Sequence, residues 1–153
     1  MSTAVATPSA VENLVLNLTT DIHVRASLED TFAALLEQLG PGADTPDGTA
    51  MPMKLELWPG GRWFRDLGNG DGHLWGHVQA VKRPTLLEFT GPLFMSYAVV
   101  NNVQYRLKKV EGGTIISFHH FALGAIPDDY RQGVNKGWTH IAERIRARAE
   151  KGK

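Results

Sequence analysis

Five of the six histidines, His73, His77, His119, His120 and His140, raise the first chemical possibility in this chain, a metal site. On a strand, alternate residues lie about 7 Å apart, and His73 and His77 would stand about 13 Å apart, too far to share one ion. His119 and His120 point to opposite faces of a strand, so no metal ligand set forms. Ser117 and His119 share a face at about 7 Å, but no carboxylate is in register and no Gly-x-Ser-x-Gly elbow occurs, so a nucleophilic dyad is unsupported. Gly68, Gly70 and Gly72 imitate part of a phosphate-binding loop, yet they lead into a strand and not a helix, which makes them a hairpin turn. Cysteine is absent, which removes disulfides, thiolate metal ligands and thiol nucleophiles. No cofactor motif is present.

Polar groups on otherwise apolar faces are more informative. Asn101 shares a face with Val99, Val103, Tyr105 and Leu107, so if that face is inward its amide needs a partner or a ligand. Tyr105 offers a ring and a hydroxyl with the same need. His120 follows Ile116 and Phe118 on the expected inward face, where it is either a hydrogen-bonded core histidine or a group that meets a ligand. Trp63, Trp75, Phe118 and Trp138 supply aromatic wall, as ordinary core or as pocket lining. Trp75 and His77 compete for the interior with Leu74, Val78 and Ala80, the more apolar alternation of their strand. Pro92 to Tyr97, with Leu93, Phe94, Met95 and Tyr97, is an apolar connection suited to a lid over a pocket mouth or to an interface.

The elements that must position these groups follow from periodicity. Leu14, Leu16, Leu18, Ile22 and Val24 alternate with polar residues, which predicts a half-buried strand. Ser27 is placed to cap a helix whose Leu28, Phe32, Leu35, Leu36 and Leu39 recur at helical spacing until Gly40-Pro41. Pro41 to Pro52 reads as a loop. Six strands then follow, Met53 to Trp58, Arg62 to Leu67, Gly72 to Lys82, Thr85 to Thr90, Ala98 to Val110 and Thr114 to Leu123, separated by Gly- or Pro-bearing turns. Asp128 or Asp129 opens a long helix with Tyr130, Val134, Trp138, Ile141 and Ile145 on one stripe and arginines toward its end. Gly133 and Gly137 inside it each cost about 1 kcal/mol against Ala, which points to close packing there or to space left open, close packing being the simpler reason.

A chain of 153 residues, 42% hydrophobic, with 16 acidic and 16 basic side chains, suits one soluble domain and no nucleic-acid or membrane partner. Residues 1–12 read as a flexible tail and 13–150 as the domain; with no signal-like segment, the default location is cytoplasmic. An antiparallel sheet with one long amphipathic helix predicts an α+β fold in which the sheet curls around the helix.

The succession Ile22-His23-Val24-Arg25-Ala26-Ser27, Gly60-Gly61-Arg62-Trp63, Gly76-His77-Val78, Leu87-Glu88-Phe89-Thr90, Gly112-Gly113-Thr114 and Gly137-Trp138 resembles the START-like (SRPBCC) superfamily with the helix-grip, or Bet v 1-like, fold. Within it, the chain is most similar to the branch named after the activator of heat-shock protein 90 ATPase. The resemblance spans about Leu14 to Glu150. It implies about seven strands wrapped around the C-terminal helix and a cavity between them. Members bind hydrophobic small molecules, act as polyketide cyclases or assist protein partners. The family often carries a second small helix with tryptophans where Pro41 to Pro52 stands here, so one cavity wall is expected to differ or to be open.

Together these readings make the chain a binding protein for a small apolar or aromatic molecule. Its expected contacts are Trp63, Trp75, Phe94, Tyr97, Asn101, Tyr105, Phe118, His120 and Trp138, with Asn101, Tyr105 and His120 as orienting polar groups. Two alternatives stay open: a cyclase-like enzyme using His120 or Tyr105 for acid–base work, and a co-chaperone-like interaction module or homodimer using Pro92 to Tyr97.

Overall fold

The computed structural model describes residues 11–94 and 97–151. After a short 3-10 turn (Val11–Leu14) come β1 (Val15–Val24), α1 (Leu28–Leu39), β2 (Lys54–Leu55), β3 (Arg62–Gly68) and β4 (Asp71–Lys82). The chain continues with β5 (Leu86–Gly91), β6 (Val99–Val110), β7 (Gly113–Gly124) and α2 (Asp128–Glu150). All seven strands form one antiparallel sheet in the order β1-β7-β6-β5-β4-β3-β2. The sheet curves around α2, which is the helix-grip arrangement.

α1 begins as its sequence requires, the Ser27 hydroxyl accepting from the Asp30 N–H at 3.0 Å. α2 buries Val134, Trp138, Ile145 and Ala149 along one stripe. Its arginines do more than answer the helix dipole. Arg131 donates to the carbonyls of Val15 and Asn13, and Arg146 Nε to that of His23. Arg148 donates to Gln38 Oε1 and the Gly42 carbonyl. The helix is thereby fastened to β1 along its length and to the end of α1, which leaves the side toward β3 and β4 to stand apart.

Three expectations are corrected. The strand expected over Met53 to Trp58 shrinks to Lys54–Leu55, because the chain turns where the Glu56 carboxylate accepts from the Arg62 N–H and guanidinium. Residues 1–10 of the expected tail lie outside the described residues, and Val11–Leu14 is a 3-10 turn, so β1 starts at Val15 and not Leu14. On β4 strict alternation fails. Trp63 pairs with Gly76 and Phe64 with Leu74, so Trp75 is an extra, bulged residue. The bulge reverses parity: Trp75 and Val78 turn inward, Leu74 is 40% exposed, and Ala80 is half-buried. Gly76 makes the local crowding tolerable, since a Cβ there would meet the Thr90 carbonyl oxygen at 2.7 Å.

Candidate functional site

Between α2 and the β3–β4 end of the sheet lies a cavity of about 470 Å³. One wall is the stripe Tyr130, Gly133, Val134, Gly137, Trp138, Ile141 of α2; the facing wall is Trp63, Trp75 and Phe94. The third wall is the α1–β2 connection, through Ala43, Asp44, Thr45, Pro46, Met51 and Met53. That loop holds its shape by Met51 N–H donating to Ala43 O and Met53 N–H to Gly40 O, and it forms the wall that was expected to differ or to be open.

The facing wall is a continuous aromatic arc. Trp63 stacks on Phe89 at 4.6 Å between centroids and meets Trp75 edge-on at 5.2 Å; Trp75 meets Phe94 at 5.5 Å, and Phe94 meets Tyr130 at 5.3 Å. Each tryptophan of the lining has its indole N–H already used. Trp63 donates to the Leu39 carbonyl, Trp75 to His73 Nδ1 and Trp138 to His120 Nδ1. The indoles therefore present ring carbon to the cavity.

Gly133 and Gly137 answer the question posed by their position in a helix. A Cβ at either would have no neighbour within 4 Å. They are not at a close packing contact, as the sequence reading preferred. They leave room, and the room is the cavity.

The sequence-expected contacts divide. Trp63, Trp75, Phe94 and Trp138 border the cavity; Asn101, Tyr105, Phe118, His120 and Tyr97 do not. His120 is fully buried, accepts from Trp138 Nε1 at 2.9 Å on Nδ1 and lies 2.7 Å from Asn101 Oδ1 through Nε2. With Nδ1 an acceptor, Nε2 carries the proton and donates to Asn101, whose amide donates onward to the Gly91 carbonyl at 3.0 Å. Both ring nitrogens of His120 are thus occupied behind the wall, and neither is left for a ligand. Burial, with a smaller contribution from the His119 charge, lowers the His120 pKa to about 4, so the ring is neutral near pH 7. Tyr105 is buried against Phe118, and burial pushes its hydroxyl pKa up. Phe118 in turn packs on the far side of Trp138. Tyr97 is exposed at 46% with its ring near Tyr130; Met95, also named in that connection, lies outside the described residues.

What sequence reasoning missed is the cavity's polar equipment. Asp44 Oδ1 accepts from Gln38 Nε2 at 2.9 Å and from His140 Nε2 at 2.8 Å, and Arg144 Nε stands 3.3 Å from Oδ2. Burial alone would raise the Asp44 pKa, but hydrogen bonds from His140 and Gln38, with the charges of His140 and Arg144, outweigh it and hold the carboxyl below its ordinary range. Tyr130 is the second case. Its hydroxyl is buried without a partner among the described residues, and burial raises its pKa. Tyr130 was visible in the helical stripe; His140 was weighed only as a metal ligand; Asp44 in its loop gave no periodic signal. No group of three or more metal-ligating side chains forms among the described residues.

The orphaned hydroxyl gives a direct prediction. Tyr130→Phe removes a buried unsatisfied oxygen and keeps the ring against Phe94, so thermal unfolding of the ligand-free protein is expected to be unchanged or stabilised by up to about 1 kcal/mol. A loss above 1 kcal/mol would show that the hydroxyl has a partner.

A curved sheet gripping a helix, with an aromatic-walled cavity between them, defines the class: a START-like, helix-grip protein. The chain belongs to the family described as Activator of Hsp90 ATPase homolog 1-like protein, whose model matches residues 25–150. No curated protein matches it. Among solved structures it is similar to an uncharacterised protein from Rhizobium leguminosarum, at 14% identity and TM-score 0.68, over 90% of this chain and 95% of that one. It is similar to an AHSA1-like protein from Aeromonas hydrophila, at 17% identity and TM-score 0.63, over 90% and 94%. It also resembles the di-domain ARO/CYC StfQ from the steffimycin biosynthetic pathway, at 12% identity and TM-score 0.68, over 93% of this chain and 53% of that longer one. At these identities the likeness is one of fold. Among the described residues no helix is long and apolar enough to cross a membrane.

Proposed function

We propose that this protein holds a small, flat apolar or aromatic molecule in the cavity between α2 and the Trp63–Trp75 wall, and that it does so in the cytoplasm. The observation that carries this reading is the pair Gly133 and Gly137. Two helix-weakening residues one turn apart border unfilled space opposite stacked aromatics. A planar ring lying there would contact helix backbone on one side and indole faces on the other, burying apolar surface on both. The expected orienting roles of Asn101, Tyr105 and His120 are withdrawn from this reading, because they stand behind the wall.

Naphthalene is a suitable probe, and the tryptophans are the reporters. In proton–nitrogen correlation spectra, the indole N–H signals of Trp63, Trp75 and Trp138 should shift on adding naphthalene. That of Trp58, 57% exposed and outside the cavity, should stay in place. Movement of none of them, or of Trp58 alone, rules the reading out.

The cyclase-like alternative draws support from the likeness to StfQ but loses the acid–base groups first assigned to it, since His120 has both nitrogens occupied and Tyr105 is buried behind the wall. Any such chemistry would have to use the groups that border the cavity.

A further inference from the structure

Besides the Tyr130 hydroxyl and Lys136, the cavity's polar lining is gathered at the end where the α1–β2 loop meets the second half of α2. There His140 and Asp44 face each other, their side chains only 18% and 12% exposed. The pair is built from distant parts of the chain and is held from several sides. Asp44 is fixed by Gln38, Gln38 by Arg148, and Arg144 balances the second carboxylate oxygen. Such support fixes the imidazole's orientation as well as its tautomer. With Nε2–H donating to an ionised carboxylate, the remaining nitrogen, Nδ1, carries the free lone pair, and it has no partner among the described residues. The Asp44 oxygens are engaged by Gln38, His140 and Arg144, so Nδ1 is the acceptor left without a partner in this pair at the end of an aromatic slot.

We infer that the Asp44–His140 pair is the cavity's polar anchor and that it selects a planar aromatic ligand bearing a hydroxyl group, a phenol or an enol, whose O–H donates to His140 Nδ1. This rests on the cavity reading proposed above and names the ligand class. A hydroxyl donor fits where an acceptor does not, because an imidazole whose one proton is directed to Asp44 offers a lone pair at Nδ1. A carboxylate ligand would bring a second negative charge beside Asp44. Asp44 itself is a positioning residue, acting through the tautomer it imposes.

The test compares naphthalene, 2-naphthol, 2-methoxynaphthalene and 2-naphthoate by calorimetric titration. A single hydrogen bond to an oriented acceptor predicts that 2-naphthol binds about tenfold more tightly than naphthalene or the methyl ether, which lacks the donor. In His140→Leu that preference should vanish while naphthalene affinity is retained. In Asp44→Asn, with the tautomer no longer enforced, it should shrink. Equal binding of naphthol and its methyl ether by the unaltered protein overturns the anchor without touching the cavity, as does tighter binding of 2-naphthoate than of 2-naphthol. A naphthol preference that survives in His140→Leu does the same. Failure of naphthalene itself to bind removes the cavity reading and this one with it. The comparison among probes on the unaltered protein stands even where a variant does not fold.

Discussion

Gly137→Leu is expected to weaken naphthalene binding by more than about 100-fold and to leave the protein folded and more heat-stable than before. The two halves of this result come from one fact. The position borders the cavity, and a Cβ there has no neighbour within 4 Å, so the new side chain enters open space and occupies what the ligand would fill. No backbone strain opposes it, because Gly137 lies within the regular helix Asp128–Glu150. Replacing a mid-helix glycine by a good helix former contributes about 1 kcal/mol, and for a domain of this size each kcal/mol raises the unfolding midpoint by about 3 °C. Gly137→Ala should give the stability gain with a much smaller loss of affinity. Calorimetric titration and thermal unfolding on the same samples check both halves. A destabilised Gly137→Leu would revive the close-packing reading of this glycine, and unchanged affinity would place the ligand elsewhere.

The second large effect concerns His120, now as a structural group. His120→Leu is expected to destabilise the protein by roughly 4 kcal/mol, because it orphans two buried groups at once, Trp138 Nε1–H and Asn101 Oδ1, each worth about 1–3 kcal/mol when left unpaired. The same residue predicts a pH dependence. Its pKa is near 6.5 in the unfolded chain and about 4 in the folded one, so the unfolded state takes up the proton first as pH falls. Above pH 6.5 the group is neutral in both states and adds no slope. Between pH 6.5 and about 4 the unaltered protein should lose roughly 3 kcal/mol through this one ring, and the loss should level off below that. Urea unfolding across this window, set beside His120→Leu, isolates the contribution as the difference in slope. Parallel curves would mean that His120 accepts a proton in the folded state as readily as in the unfolded one.

The fold was legible because its signals are local and repeated. Ser27 before Leu28, the alternation through Leu16, Ile22 and Val24, and the spacing of Val134, Trp138 and Ile145 each name an element without help from the rest of the chain. Strand parity was legible only where the pleat is regular. At Trp75 one extra residue reverses it, and pattern alone could not say that a tryptophan displaces Leu74 from the interior. The site was legible in its apolar half and hidden in its polar half. Trp63 and Trp138 announce themselves as large rings on inward faces. Asp44 and His140 are 96 residues apart and meet only because the α1–β2 loop folds back onto α2. Asn101 and His120 misled for a physical reason: a polar residue on an inward face needs a partner, and here each is the other's. Gly133 and Gly137 were noticed as anomalies, but whether a helical glycine admits a neighbour or a void depends on the opposite wall.

A crystal structure determined in the presence of saturating naphthalene tests the central claim most directly. The expected result is a planar ring between Gly137 of α2 and the Trp63–Trp75 wall, with the His120–Asn101 chain unchanged behind it. A cavity without the ring under those conditions, or naphthalene bound only outside it, would contradict the account.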